Sequence, residues 1–222
     1  MARVLRFTLE APLASWSVGG AHIRATGPVP THAAVVGLLG CALGLERSDE
    51  RQADLSKSYL RAVRVDQSGE LLDDYHTVQS PQLPVVQQMR ARTRAQELEA
   101  KNPVGQSWTT ITRREYIQDV RYTVVLWPAA DDTPWSPEHL AQALRYPAHP
   151  LYAGRRSCPL SAPLAPEVLN ATGLSDVLSD GPMYWDVAIP AGTLSPHHMV
   201  TANDRLLSPN RRAFGARQDY VL

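Results

Sequence analysis

Residues 30–45 read PTHAAVVGLLGCALGL, which contains the longest uncharged apolar stretch of the chain. Thr31 stands in front of an uncharged apolar run, where its hydroxyl can accept an amide hydrogen from a first helical turn. Gly44 comes near the end of the run, where helices often stop. Because the run is apolar on almost every side, we predict a helix that is buried over most of its surface. Gly37 is expected to let this helix pack closely, so leucine at that position should destabilise the fold.

Strand patterns lie on both sides of this helix. Val4–Leu9 has the composition of an opening strand, and Arg61–Asp66 alternates between apolar and polar residues. A turn at Gln67–Gly69 predicts that Leu71–Val78 is the antiparallel partner of the second strand. Tyr122–Trp127 has the strongest strand composition of all. Further predicted elements are a helix at Pro137–Leu144 capped by Ser136, and strands at Met183–Ile189 and Gln218–Leu222.

The order of these elements predicts an α+β fold. A strand, a helix, two strands, a long insertion, a strand and a second helix suit a ferredoxin-like sandwich of the RNA-recognition type. The chain shows no internal repeat and no low-complexity tract, so we predict one domain over residues 1–222. Periodicity fades over residues 80–112, which form the insertion. Residues 167–222 are expected to form a C-terminal extension.

Charge is balanced over the chain but concentrated locally. Lys plus Arg number 22 and Asp plus Glu number 22, so no global basic signature for nucleic acid is present. Residues 90–114 hold six basic and two acidic residues, and Arg205–Arg217 carries four arginines without an acid between them. Of the 22 basic residues 20 are Arg, whose planar guanidinium can grip phosphate and stack on bases. A GC-rich genome would explain the same bias, so the composition permits RNA binding without requiring it.

Cysteine, motif and targeting patterns narrow the class of protein. Cys41 and Cys158 lie far apart and have neither a zinc-type spacing nor a disulfide framework. The sequence contains no Walker loop, no dinucleotide fingerprint and no zinc-protease or serine-hydrolase motif. The first ten residues alternate rather than forming a signal segment, and the longest apolar stretch is too short to span a bilayer. We therefore expect a cytoplasmic protein that needs no membrane, no cofactor and no metal.

Asp73–Thr77 is the cluster that most resembles a catalytic site. A histidine near a tyrosine could deprotonate a 2′-hydroxyl of RNA while arginines steady the phosphate. The sequence specifies no second acid or base nearby, so we favour polar residues at a strand end that bond the backbone or bound RNA. A ribonuclease that uses His76 together with Tyr75 stays open as the alternative.

Several stretches, in order along the chain, resemble the CasD family, the subtype I-E branch of the fifth CRISPR-associated family within the RAMP superfamily. The ordered set is specific and covers about the first three-quarters of the chain. The matching stretches are residues 13–16 (LASW), 24–26 (RAT), 30–39 (PTHAAVVGLL), 42–47 (ALGLER), 74–78 (DYHTV), 112–119 (TRREYIQD) and 150–159 (PLYAGRRSCP).

The resemblance implies a modified RNA-recognition (RAMP) fold with a protruding thumb hairpin, which the insertion fits, and extra C-terminal strands. It also implies a non-catalytic, CRISPR RNA-binding structural subunit of a type I-E Cascade complex for antiviral defence. Such a subunit holds the repeat-derived 5′ handle and contacts the backbone subunit and the large subunit that inspects target DNA. A related branch in another subtype cuts RNA, so a metal-independent endoribonuclease that processes CRISPR repeats remains the alternative.

Single-stranded RNA is held by stacking on aromatic rings and by charged contacts to its backbone. A helix N-terminus also attracts phosphate, which makes the start of the first helix a candidate. We therefore predict RNA contacts at Trp16, Arg24, Thr31, His32, Tyr75, His76, Arg92, Arg94, Trp108, Arg113, Arg114, Tyr116, Arg155 and Arg156.

Overall fold

The structure is a computed structural model that describes residues 1–18, 23–80, 93, 95–96 and 108–222, with the backbone alone at 79, 80 and 108. Its helices are α1 (His32–Ala42), α2 (Arg51–Ser58) and α3 (Pro137–Arg145), with a 3₁₀ turn at Leu174–Asp176. Its strands are β1 (Ala2–Ala14), β2 (Ile23–Arg24), β3 (Tyr59–Gln67), β4 (Glu70–Ser80), β5 (Trp108–Pro128), β6 (Glu167–Ala171), β7 (Met183–Asp186), β8 (His198–Ser208) and β9 (Ala213–Val221).

One sheet connects all of these strands. Its order is β6-β1-β5-β3-β7-β9-β8, and β2 and β4 pair with the remaining length of β5. The pairing of β2 with β5 is parallel and the other pairings are antiparallel. The prediction of an α+β fold is confirmed, because a large antiparallel sheet with few helices is an α+β arrangement.

The sheet separates two hydrophobic cores. Successive residues of a strand point to opposite faces, and Val4 and Leu5 of β1 accordingly enter different cores. On one face, α1, α2 and α3 cover β1, β3 and β5. On the other face, the 3₁₀ turn and the chain around it cover Val125 and Trp185. The cores are what hold the helices and the C-terminal third onto the sheet.

The N-terminal caps of two helices were predicted correctly from the residues next to them. The Thr31 hydroxyl accepts from the Ala34 amide at 3.2 Å, and the Ser136 hydroxyl accepts from the His139 amide at 3.2 Å. The predicted N-caps of α1 and α3 are therefore confirmed. Gly37 differs from the prediction, since it is exposed and a Cβ there would meet nothing within 4 Å. Leucine at this position would not overpack the core, and that expectation is wrong.

The long strand β5 has two partners along one edge. Its second half pairs with β3, and its first half pairs with β4 from Gln118 opposite Glu70 to Trp108 opposite Ser80. β3 and β4 therefore follow each other along β5, and the described strand pairings do not join them. The predicted hairpin between Arg61–Asp66 and Leu71–Val78 is wrong. Gly69 has a left-handed backbone (φ 68°) and interrupts what would otherwise be one continuous strand along β5, so that β3 and β4 are two separate segments.

We define the arm as β2, β4 and the first half of β5, Trp108–Gln118. Strand structure in the arm reaches Ser80 on one side and begins at Trp108 on the other. The predicted insertion at residues 80–112 is thus strand at both of its ends. Apart from 93 and 95–96, residues 81–107 lie outside the described residues.

The C-terminal third contributes β6, β7, β8 and β9 to the sheet. The sequence patterns predicted β7 and the end of β9, but β6, β8 and α2 were not predicted. β8 is long, yet its residues alternate only partly between buried and exposed because its pairing with β9 shifts register twice. An irregular strand of this kind leaves a weak period-two pattern in the sequence.

Charged residues are buried inside the helix-side core. The Arg61 side chain is 1% exposed and pairs with Asp219, while it also donates to the carbonyl of Pro30. Arg217 pairs with Asp204 at 2.6 Å and with Asp219. This network ties β3, β8 and β9 to the segment that leads into α1.

Candidate nucleic-acid interface

The two faces of the arm carry different side chains. Residues that are in register across β2, β5 and β4 share a face, and successive residues alternate between faces. Arg24, Arg114 and Asp74 lie in one row across the three strands, and Thr112 pairs with His76 in the next row of that face. These five residues define the polar face. The opposite, apolar face is defined by Ile23, Leu71, Tyr75, Ile111 and Arg113.

Donors on the polar face lack acceptors. Arg114 Nε and Thr112 Oγ1 are buried, and no atom in the described part of the chain hydrogen-bonds to either of them. Asp74, in register with Arg114, instead hydrogen-bonds His76 Nε2. Leaving a buried donor without an acceptor costs roughly 1–3 kcal/mol. Arg114 as a residue is only half-buried, so an anionic ligand can approach it from solvent, although its Nε is itself covered.

Arg155 supports the part of the arm where β2 pairs with β5. Its guanidinium carbon lies 4.7 Å from the centroid of the Tyr116 ring, which is 8% exposed. Its Nη2 donates to the carbonyl of Arg24 at 3.0 Å, and its Nη1 donates to the carbonyl of Glu115 at 3.3 Å. Arg155 and Tyr116, both predicted to contact RNA, thus hold β2 against β5, and a base could not stack freely on this buried ring.

The apolar face is open to solvent. Leu71, Ile23, Tyr75 and Ile111 are 65%, 58%, 55% and 50% exposed. Arg113 lies among them, and its Nε is 3.7 Å from a carboxylate oxygen of Asp73. Arg113 and Arg114 were predicted to contact RNA together, but the strand places them on opposite faces. Tyr75 and His76 are separated in the same way, so the structure does not bring them together as a catalytic pair.

Trp16 does not face solvent. It is 1% exposed, and its ring meets Tyr122 edge-on with ring centroids 5.9 Å apart. Burial raises the pKa of Tyr122 to about 12, so this phenol stays neutral and donates to the carbonyl of Pro28 at 2.8 Å. The Trp16 indole in turn donates to the Tyr122 oxygen. Its predicted role as a stacking platform is corrected, because the ring belongs to the core.

The start of α1 is also closed to RNA. His32 is 3% exposed, and its Nε2 lies 3.0 Å from the carbonyl oxygen of Ser56. The Asp204 carboxylate accepts from the His32 backbone amide, where a phosphate was expected. Burial and then the charge of Arg217 lower the pKa of His32 from 6.5 to about 4. The predicted roles of His32 and of the Thr31 hydroxyl, which caps α1, are therefore structural.

The remaining predicted contacts are distributed as follows. Arg24 and Arg156 are exposed, and the Arg24 side chain belongs to the polar face. Arg217, the last arginine of the basic C-terminal segment, is buried against two carboxylates and is not available to nucleic acid. Arg92 and Arg94, and the side chain of Trp108, lie outside the described residues.

No group of three or more His, Cys, Asp or Glu side chains in the described ranges could hold a metal ion. Cys41 and Cys158 are free thiols, and burial raises the pKa of each. None of the helices that the structure describes is long and apolar enough to cross a membrane.

The predicted RNA contacts did not include Thr112, and Asp74 was named only within the Asp73–Thr77 cluster. Both lie in stretches that were recognised, and the signal that would have found them is strand parity. Counting by twos from His76 reaches Asp74, and counting by twos from Arg114 reaches Thr112. The pairing register between β4 and β5, which joins these two sets, is not encoded locally.

Comparison with known proteins finds a family model and a relative that match all or nearly all of the chain. The family model described as CRISPR-associated protein (Cas_Cas5) matches residues 4–218. The CRISPR system Cascade subunit CasD of Escherichia coli (strain K12) is 32% identical over 236 residues, which cover 100% of this chain and 96% of the relative.

Two solved structures share the fold. A chain of a CRISPR RNA-guided surveillance complex aligns with a TM-score of 0.66 and 24% identity, covering 99% of this chain and 89% of the other. A second structure, described as the crystal structure of a Cas protein, aligns with a TM-score of 0.62 and 23% identity, covering 99% and 93%. The resemblance noted in the sequence is confirmed, and the chain belongs to the CRISPR-associated protein (Cas_Cas5) family.

Proposed function

We propose that this chain is a non-catalytic, RNA-binding structural subunit of a type I-E Cascade complex. On this proposal it holds the repeat-derived 5′ handle of CRISPR RNA against the polar face of the arm. The observation that carries the proposal is the pair of buried donors on Arg114 and Thr112 without an acceptor in the described part of the chain. A phosphate oxygen is an acceptor of suitable charge, and hydrogen bonds between guanidinium and phosphate are strong. Arg24, in the same row, adds an exposed second guanidinium.

The comparisons support the assignment to Cascade. The Escherichia coli relative named as a Cascade subunit aligns over the whole of this chain. The arm supports equating β4 and β5 with the family's thumb hairpin, and the antiparallel sheet supports a modified RNA-recognition (RAMP) fold. Because all the described strands share one sheet, we also propose that residues 1–222 act as one domain. The cytoplasm is the proposed location, since Cascade acts on RNA and DNA there.

The apolar face suits contacts with other subunits. Clustered exposed apolar side chains mark protein interfaces more often than isolated ones do. Leu71, Ile23 and Ile111 are each at least half exposed on this face. We propose the repeated backbone subunit and the large target-inspecting subunit as the neighbours, with target DNA reached indirectly through the complex.

Adjacent arginines on opposite faces allow a sharp test of RNA binding. We expect Arg114→Gln to weaken binding of labelled handle RNA and to lower the slope of log K against log salt by about 0.7, the value for one contact to a single-stranded phosphate. Arg113→Gln removes the same charge from the apolar face and should change the slope much less. Equal losses in the two variants would contradict the assignment of RNA to the polar face.

Co-assembly tests the apolar face separately. Leu71→Asp with Ile111→Asp should abolish co-purification with the other Cascade subunits while handle RNA affinity is kept. Met199→Asp, at a residue of β8 that is 55% exposed, is the matched control and should assemble normally. Normal assembly of the double variant would exclude this face as the interface.

A metal-independent endoribonuclease is the second candidate. The observation that favours it is the hydrogen bond between His76 and Asp74 on the same face as Arg114, since a carboxylate can orient a histidine that acts as a general base. Repeat RNA incubated with the protein in EDTA should stay intact if the chain only binds RNA. Cleavage that disappears in His76→Ala would overturn the non-catalytic proposal.

A further inference from the structure

The arginine-rich C-terminal segment forms the end of a hairpin that the proposed function does not use. β8 and β9 are joined by a turn in which Arg212 has left-handed backbone (φ 50°). Arg211 and Arg212 are exposed and Arg205 is half-buried, whereas Arg217 of the same segment is buried. We define the hairpin tip as Arg205, Leu207, Arg211, Arg212 and Phe214.

The tip combines unpaired positive charge with exposed apolar surface. Within the described residues no carboxylate pairs with Arg205, Arg211 or Arg212, and no acidic residue lies between positions 205 and 217. Phe214 is 43% exposed and Leu207 is 49% exposed. Glu50 approaches the tip, where its carboxylate accepts from the side-chain amide of Asn210.

The tip and the polar face lie at opposite ends of the sheet. Asp219 of β9 pairs with Asp186 of β7, and Gln218 and Arg217 continue β9 toward the end of the sheet where Tyr59 pairs with Pro128. The tip lies beyond that end, whereas the arm leaves the sheet beyond Gln67 and Arg121. The stretch of β5 from Arg114 to Pro128 alone spans about 45 Å at the usual rise of ~3.3 Å per residue. One nucleotide cannot contact both sites.

We propose that the hairpin tip is a second nucleic-acid-binding site, which takes a single-stranded segment by stacking a base on Phe214 and by contacts of Arg211 and Arg212 with its phosphates. Phe214 follows Arg212 and Arg211 by two and three residues along the chain. An exposed aromatic ring close in sequence to exposed arginines suits single-stranded nucleic acid, because each base offers a ring face and each linkage offers a charge. An acidic peptide would use the arginines but would gain little from the ring. Double-stranded nucleic acid keeps its bases stacked internally and would not reach the ring either.

The test uses the full chain and a labelled 12-nucleotide oligothymidylate. Binding is measured in the wild-type chain and in a chain carrying Arg24→Gln and Arg114→Gln, so that the remaining binding in the second background reports the tip. We expect Arg211→Gln with Arg212→Asn to lower the affinity on the order of tenfold and the salt slope by about 1.4, twice the single-strand value per phosphate. Asparagine is chosen at position 212 because it tolerates left-handed backbone.

Phe214→Leu separates stacking from charge. It keeps an apolar side chain and should lower affinity on the order of tenfold while leaving the salt slope unchanged. Arg3→Gln with Arg121→Gln is the matched control, because it removes two positive charges at side chains that are each 55% exposed elsewhere on the sheet. Unchanged binding by the tip variants in both backgrounds would overturn the proposal, whatever the polar face does.

Two further outcomes are decisive. If oligoglutamate of equal charge displaces the oligonucleotide and Phe214→Leu binds as wild type does, the tip recognises acidic chains and the proposal is wrong. Ultraviolet cross-linking to a 4-thiothymidine oligonucleotide gives a readout that does not depend on any variant folding. Cross-links on the peptide that contains Phe214 would support the proposal, and cross-links confined to other peptides would overturn it.

Discussion

Single residues in this molecule are often charged and buried, and their partners come from distant parts of the sequence. Asp204 illustrates the balance. Burial is the largest single influence and acts to raise its pKa, but the hydrogen bond and charge of Arg217, the charge of Arg61 and the His32 amide together bring the pKa below its ordinary value. Asp204 also accepts from the His32 amide, 172 residues away along the chain. His32 was predicted to meet RNA because nothing near it in the sequence reveals Asp204 as its partner.

Arg61 should be essential for stability. Removing one member of a buried ion pair leaves the other charge uncompensated, so Arg61→Ala is expected to lower the free energy of unfolding by about 3–5 kcal/mol. Arg3→Ala breaks the exposed pair with Glu138 and should cost less than about 1 kcal/mol. Urea denaturation of both variants measures the difference. Similar small losses would show that Asp219 is satisfied by Arg217 alone.

His32 should make stability depend on pH. Its pKa is about 4 in the folded protein against 6.5 when unfolded, and the charged groups that face it are Arg217, Asp204 and Arg61. The unfolded chain binds more protons between these values, so this contribution is complete above pH 6.5 and is lost as the pH falls toward 4. The loss should total about 3 kcal/mol.

The measurement is urea denaturation from pH 7 to pH 4. His32→Asn should be less stable at pH 7 and should lack this part of the pH dependence. His198→Gln, which changes an exposed histidine, should leave the pH dependence as it is in the wild type. The interpretation fails if His32→Asn and wild type lose stability in parallel.

Elements were predictable where their signals are local. The N-caps of α1 and α3 depend on a hydroxyl three residues before the amide that it accepts from, and both could be predicted from Thr31 and Ser136. The partner of β4 was not predictable in this way. A turn between two strand patterns usually predicts a hairpin in which the two strands pair with each other. Here the same turn residues only interrupt one strand, because both of its segments pair with the same edge of the longer strand β5.

Gly69 at this break should control the attachment of the arm. Its φ is 68°, and a Cβ there would lie 2.0 Å from the carbonyl oxygen of Gln118, so Gly69→Ala must displace β4 from β5. We expect faster amide hydrogen exchange over Leu71–Val78 and a lower melting temperature. Gly37→Ala is the matched control and should stabilise α1 by about 0.5–1 kcal/mol, because the added methyl meets nothing and alanine favours helix.

At the scale of the whole molecule, the sequence predicted a fold class and a family but only part of the site. Of the stretches that resembled the family, residues 24–26, 74–78 and 112–119 lie in or next to the arm, residues 150–159 carry Arg155 that supports it, and residues 30–39 lead into and form most of α1. Which arginine faces which way depends on strand register, which is set by contacts far apart in sequence. Arg113 and Arg114 looked equivalent in sequence and are separated by the sheet.

The C-terminal third should be required for folding of the rest. β7 and β9 lie between β3 and β8, and Asp204 and Asp219 neutralise Arg61 and Arg217 inside the core. A chain that ends after Pro196 would expose Arg61 without its carboxylate and leave β7 as a short edge strand.

We expect this truncated chain to be unfolded by circular dichroism, and a co-expressed fragment of residues 195–222 to restore a cooperative melting transition. If the truncated chain alone melts cooperatively within a few degrees of the full chain, β8 and β9 are an appendage of the sheet. A rescue by the fragment carrying Asp219→Ala would likewise show that the buried ion network is dispensable for joining the two parts.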